Sequence, residues 1–106
     1  MSFTVHRNIE MPVLCKLLPK RFQAQFRERD FGSGKFVLVV FSSQRSILSK
    51  QVEKVFEKLS DLEEPNRVAV GNNFTKEGFE IFAKHEFKVY CERDFYWTDE
   101  RLKAIR

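Results

Sequence analysis

Glycine, proline, cysteine and histidine are all scarce in this chain: four Gly, three Pro, two Cys and two His among 106 residues. Cys15 and Cys91 stand apart, with no CxxC spacing and no neighbouring His. That excludes a disulfide scaffold and a zinc-finger pattern, and both thiols are expected to be buried and free. No apolar run approaches the roughly 18–20 residues that cross a bilayer, so no membrane association is expected. The N-terminal MSFTVHRNIE lacks the charged-then-apolar order of a signal peptide, which makes a cytoplasmic location the expectation. GxGxxG, GxxxxGK[ST], GxSxG and HExxH are all missing, and no cofactor is expected. Internal repeats, low-complexity tracts and linkers are absent as well, so residues 1–106 read as a single domain.

Phenylalanine, by contrast, is abundant at 12 residues. Spread through most predicted elements, these side chains suit the core of a small domain. A stacking platform for nucleic-acid bases would need some of them exposed on one face. The formal net charge is +4, unevenly placed. Residues 1–50 hold nine Lys or Arg against three Asp or Glu, whereas residues 51–106 hold ten against twelve. A basic half beside a slightly acidic one gives a one-sided positive field that favours a polyanion.

Pro12 and Pro19 bracket a short helix, with Val13, Leu14, Leu17 and Leu18 on one face. Phe22, Ala24 and Phe26 alternate with Gln23, Gln25 and Arg27, which predicts a half-buried strand over 22–29. Asp30-Phe-Gly-Ser-Gly34 then turns the chain into Lys35-Phe-Val-Leu-Val-Val-Phe41, an inner strand buried on both faces. Together these read as an antiparallel hairpin. Residues 2–9 alternate weakly and could form a short strand or an extended arm. A helix capped by Ser43 or Ser46 follows, with an apolar stripe of Leu48, Val52, Val55, Leu59 and Leu62. Residues 67–71 form a short buried strand. Thr75 caps the next helix, whose core face is Phe79, Phe82 and Ala83, and residues 87–91 form a last strand. Thr98 caps a final helix towards Ile105. The fold class is therefore α/β: a small mixed sheet in which an antiparallel hairpin joins β-α-β-α-β crossovers.

In such sheets ligands gather beyond the carboxyl ends of the strands. Those ends carry Ser42, Ser43, Asn72 and Asn73, which are candidate anion-binding residues near helix N-termini. Glu92, Asp94, Asp99 and Glu100 follow the last strand, but Asp99 and Glu100 suit the first turn of a helix. No ligand spacing links them, so no metal is expected. His6 and His85 have no evident catalytic partner, and no catalytic residue is assigned.

Asn73-Phe74-Thr75-Lys76-Glu77, Ala83-Lys84-His85 and Phe87-Lys88-Val89 lie on a strand–helix–strand phrase. This phrase resembles the C-terminal part of the Mrr-type restriction endonuclease domain, in residue detail over about 67–90 and in element order over about 9–95. The resemblance implies a restriction-endonuclease-like core. It also implies a metal-binding Asp, for which Asp30 stands about where the first carboxylate would be, and an acidic-or-Gln, x, Lys triplet on the next strand. At that place this chain has Val39-Val40-Phe41 or neighbours one position away, which neither bind a metal nor assist a water. The expected reading is therefore a non-catalytic module that binds DNA or RNA through Lys20, Arg21, Arg27, Arg29, Lys35 and Arg45. A second reading is a protein-interaction or homodimerising module that pairs through the strand at 22–29. A third is a small enzyme with its site at the strand carboxyl ends.

Overall fold

The computed structural model describes residues 3–42 and 46–91. The helix expected after Thr98, the carboxylates Glu92, Asp94, Asp99 and Glu100, and the candidates Ser43 and Arg45 lie outside these residues. A mixed four-stranded sheet has the spatial order β1 (Phe3–Ile9), β2 (Phe36–Phe41), β4 (Asn66–Gly71), β6 (Lys88–Cys91). β1 runs antiparallel to β2, whereas β2, β4 and β6 are mutually parallel. Two-residue strands β3 (Ser46–Ile47) and β5 (Asn73–Phe74) pair in parallel as a separate small sheet.

Helices cover both faces. α1 (Met11–Leu17) and α2 (Lys20–Gln23) sit on one, where Leu14, Leu18 and Phe22 pack on Phe36, Leu38, Val68, Val70 and Tyr90. α3 (Ser49–Lys58) and α4 (Lys76–Lys84) sit on the other. There Val52, Val55, Leu59 and Phe82 pack on Val37, Val39, Phe41 and Ala69. The alternation Phe36, Leu38 against Val37, Val39, Phe41 is the period-2 pleat dividing one apolar strand between two cores. That is why a continuous apolar run suits β2, which is flanked by β1 and β4 and covered above and below.

Several expectations change. Residues 22–29 are not a strand: Phe22 ends up inside α2, and the Phe26 amide donates to the Phe22 carbonyl at 3.2 Å. Phe22 and Phe26 are four apart, so the spacing fits a helical turn as well as alternate positions of a strand. The antiparallel partner of β2 is instead β1, at the opposite end of a helical connection. Gly32-Ser-Gly34 is accordingly no hairpin turn. It is a loop held by buried Asn66, whose Nδ2 donates towards the Gly32, Ser33 and Gly34 carbonyls at 3.1–3.4 Å. Asn66 Oδ1 also accepts from the Gly32 amide at 3.3 Å. Gly34 holds φ +113°, and an added Cβ would meet Pro65 Cγ at 2.6 Å.

Pro12 opens α1 as expected, but only Leu14 and Leu18 are buried, leaving Val13 and Leu17 exposed. Ser46 lies in β3 and does not cap α3; Leu48 occupies the cap position, exposed, with its amide donating to Gln51 Oε1 at 2.8 Å. α3 ends at Lys58, short of Leu62. Thr75 does cap α4, its Oγ1 accepting from the Gly78 amide at 3.1 Å. On α4 Phe82 is buried and Ala83 is exposed. Cys91 is buried, whereas Cys15 is exposed on α1.

Candidate nucleic-acid interface

The α1–α2 layer concentrates one sign of charge. Residues 11–27 contain Lys16, Lys20, Arg21 and Arg27 and no carboxylate. All four are exposed, and Arg29 follows on the 3₁₀ turn Glu28–Asp30, also exposed. Because α1 and α2 are short and bury only Leu14, Leu18 and Phe22, most of this layer is surface. The Arg21 guanidinium lies 4.8 Å from the Phe22 ring centroid, a cation–π geometry. Arg27 Nη1 donates to the Ala24 carbonyl at 2.8 Å and towards that of Phe26 at 3.4 Å, which closes the turn after α2 and fixes this guanidinium at the surface.

Lys20, Arg21, Arg27 and Arg29 thus share one segment, although Arg27 and Arg29 do not lie on a strand face with Gln23 and Gln25. Gln25 instead reaches across to donate to the Cys91 carbonyl at 2.9 Å. Lys35 is set apart from this group. It precedes β2 and faces Glu10 Oε2 at 3.3 Å, both groups largely exposed. Lys16 belongs to the cluster and was not among the expected residues; the signal for it is the acid-free stretch 11–27.

The strand carboxyl ends are packed. Ile47 and Phe74, both fully buried, lie over Gly71, where an added Cβ would collide with Ile47 Cδ1. Asn73 spends its side chain locally, donating to Ser46 Oγ at 3.1 Å and accepting from the Phe74 amide at 3.0 Å. Ser42 is exposed and Asn72 half-buried, just beyond β2 and β4. Thr75 already accepts from the first turn of α4, and the β3–β5 pair lies over Gly71 at the end of β4.

Two clefts lie at the opposite edge, near the start of β2 and β4. One, of about 310 Å³, is lined by Arg7, Asn8, Lys35, Glu63, Glu64 and Pro65. The other, of about 490 Å³, includes Glu10, Pro12, Glu28, Lys35 and the Gly32–Gly34 loop. Their charges are largely paired within the fold. Buried Glu64 accepts from Arg7 Nε at 2.8 Å and Nη2 at 3.0 Å, and from the Asn8 amide at 2.9 Å. The Arg7 hydrogen bonds hold the Glu64 carboxyl down at about 2, against the cost of its burial. Asn8 takes φ 56° at a break in the β1 register, which turns its amide towards Glu64. This bidentate pair staples edge strand β1 to the loop before β4.

The nuclease-type residues do not converge. Val39 and Phe41 point into the α3–α4 core, and Val40 packs with the opposite cluster. Asp30 is exposed on the 3₁₀ turn. Among the described residues no three His, Cys, Asp or Glu side chains are grouped to hold a metal ion. His85 is structural: its Nδ1 lies 2.9 Å from the Ile81 carbonyl, and its ring stacks on Phe56 at 4.1 Å. Among the described residues no helix is long and apolar enough to cross a membrane.

No family model matches this chain, and no curated protein or solved structure matches it either.

Proposed function

We propose that this protein is a non-catalytic nucleic-acid-binding module whose contact surface is the α1–α2 layer. The observation that carries the reading is the acid-free run of exposed bases Lys16, Lys20, Arg21 and Arg27. Across the sheet, α3 and α4 carry five Lys and four Glu, a balanced solvated face. An unbalanced cationic face attracts phosphates through counterion release, without requiring base contacts. The resemblance of residues 67–90 to the Mrr-type nuclease domain supports a degenerate nuclease-like core, with Val39-Val40-Phe41 in place of the metal-binding triplet. Arg29 extends the surface, while Lys35, paired with Glu10, is left out of it. Pairing through 22–29 has lost the strand that motivated it.

The test is a low-salt gel shift with duplex and single-stranded oligonucleotides. Binding should appear at low salt, fade steeply as salt rises, and drop with Arg27→Glu plus Arg29→Glu. An absence of binding to any oligonucleotide at low salt overturns the proposal.

A further inference from the structure

Phe26 and Phe31 flank the basic turn at Arg27 and Arg29. Their rings are stacked, with centroids 5.4 Å apart and planes 19° from parallel. Both are half-buried, each anchored from beneath. Phe31 leans on Phe36 at 5.2 Å, and Phe26 meets Tyr90 edge-on at 6.3 Å. Two aromatic rings packed on the core yet partly open to solvent, beside Arg27 and Arg29, are the components of a stacking surface for bases. Glu28 and Asp30 lie on the same 3₁₀ turn and weaken the positive field there, so the phosphate contacts belong to the Lys16–Arg27 side and the stacking to its edge.

We infer that the preferred ligand of this face is single-stranded nucleic acid, with an unpaired base stacked on the Phe26–Phe31 pair while Lys20, Arg21 and Arg27 contact flanking phosphates. The inference rests on the polyanion-binding reading above and narrows it. Duplex bases are stacked on one another and offer no free face to the rings, whereas every unpaired base does.

The experiment uses the unaltered protein and three labelled probes in fluorescence anisotropy at low salt: a 20-mer of thymidylate, the same strand with abasic sites replacing most bases, and a duplex of equal length. We expect the thymidylate strand to bind about 10-fold tighter than the abasic strand, which keeps the phosphates and lacks the π-faces. Phe31→Leu should remove most of that difference, with its circular dichroism spectrum and thermal midpoint certifying that it is folded. Equal binding of abasic and thymidylate strands overturns the single-strand inference while leaving the polyanion reading standing. Failure of all three probes to bind overturns both.

Discussion

The two helical layers of this protein differ in what they hold and what they show. The α3–α4 side buries the larger core, with Phe41, Phe74, Phe82 and Phe87 interlocked at centroid distances of 4.9–6.1 Å. Its exposed charges are mixed in sign. The α1–α2 side is built from helices of seven and four residues, buries fewer side chains and carries a run of bases without acids. Stability is thus concentrated on one face, and the other is free to present charge that contributes little to folding. That division also explains why paired charges sit at the sheet edges. Arg7 with Glu64 and Lys35 with Glu10 hold loops, while Lys16 and Lys20 hold no ion pair among the described residues.

The sharpest way to break this comparison is through the cores. Phe82 is fully buried and touches Phe41, Phe56, Phe74 and Phe87. Phe82→Ala should cost about 3–5 kcal/mol in denaturant unfolding. Phe22→Ala, equally buried but on a single helical turn that can settle into the gap, should cost about 3 kcal/mol or less. Equal losses would erase the asymmetry.

Acid comes next. The folded carboxyl of Glu64 is lowered to about 2 from 4.5, so the unfolded chain binds the proton more readily. The stabilisation is complete above the unfolded value, and it is lost as pH falls from about 5 towards 2, amounting to at most about 3 kcal/mol. Denaturation midpoints taken from pH 7 to pH 2 should fall in that window for the native chain, and Glu64→Gln should flatten the fall. An unchanged acid profile in Glu64→Gln would mean that the staple to β1 does not stabilise the fold.

Smaller again is the effect of glycine replacement. Gly71→Ala forces a methyl against Ile47 and should destabilise by about 1–3 kcal/mol. Gly32→Ala meets nothing within 4 Å and should leave thermal stability nearly unchanged. A neutral Gly71→Ala would show that Ile47 does not pack as a lid over the strand ends.

Much of this architecture is legible in the residues. Pro12 marks α1, the stripe Val52, Val55, Leu59 marks α3, Thr75 marks the start of α4, and the unbroken run 36–41 marks the central strand. Each of these signals is local. The errors arise where a local pattern has two readings or where the partner is distant. Phe22, Ala24 and Phe26 satisfy a period of two, yet Phe22 and Phe26 also span one helical turn, and burial of Phe22 under the sheet decides for the helix. β1 alternates too weakly to announce itself, because it is an edge strand and each of its residues keeps some contact with solvent. The Arg7–Glu64 pair joins residues 57 apart in the chain, and no local spacing encodes it. Of the basic residues, the run itself is readable, but only the fold separates Lys35, facing Glu10, from Lys20 and Arg21 on the open layer.

The central claim is that the α1–α2 bases, and not those across the sheet, contact nucleic acid. The direct measurement is the slope of log affinity against log salt concentration for a single-stranded oligonucleotide, compared between two matched double variants. Lys20→Ala with Arg21→Ala should lower the magnitude of that slope by about 1.4, from about 0.7 for each lost phosphate contact on a single strand. Lys54→Ala with Lys58→Ala, removing the same charge from α3, should leave it where it is. Equal changes in the two variants would contradict the account.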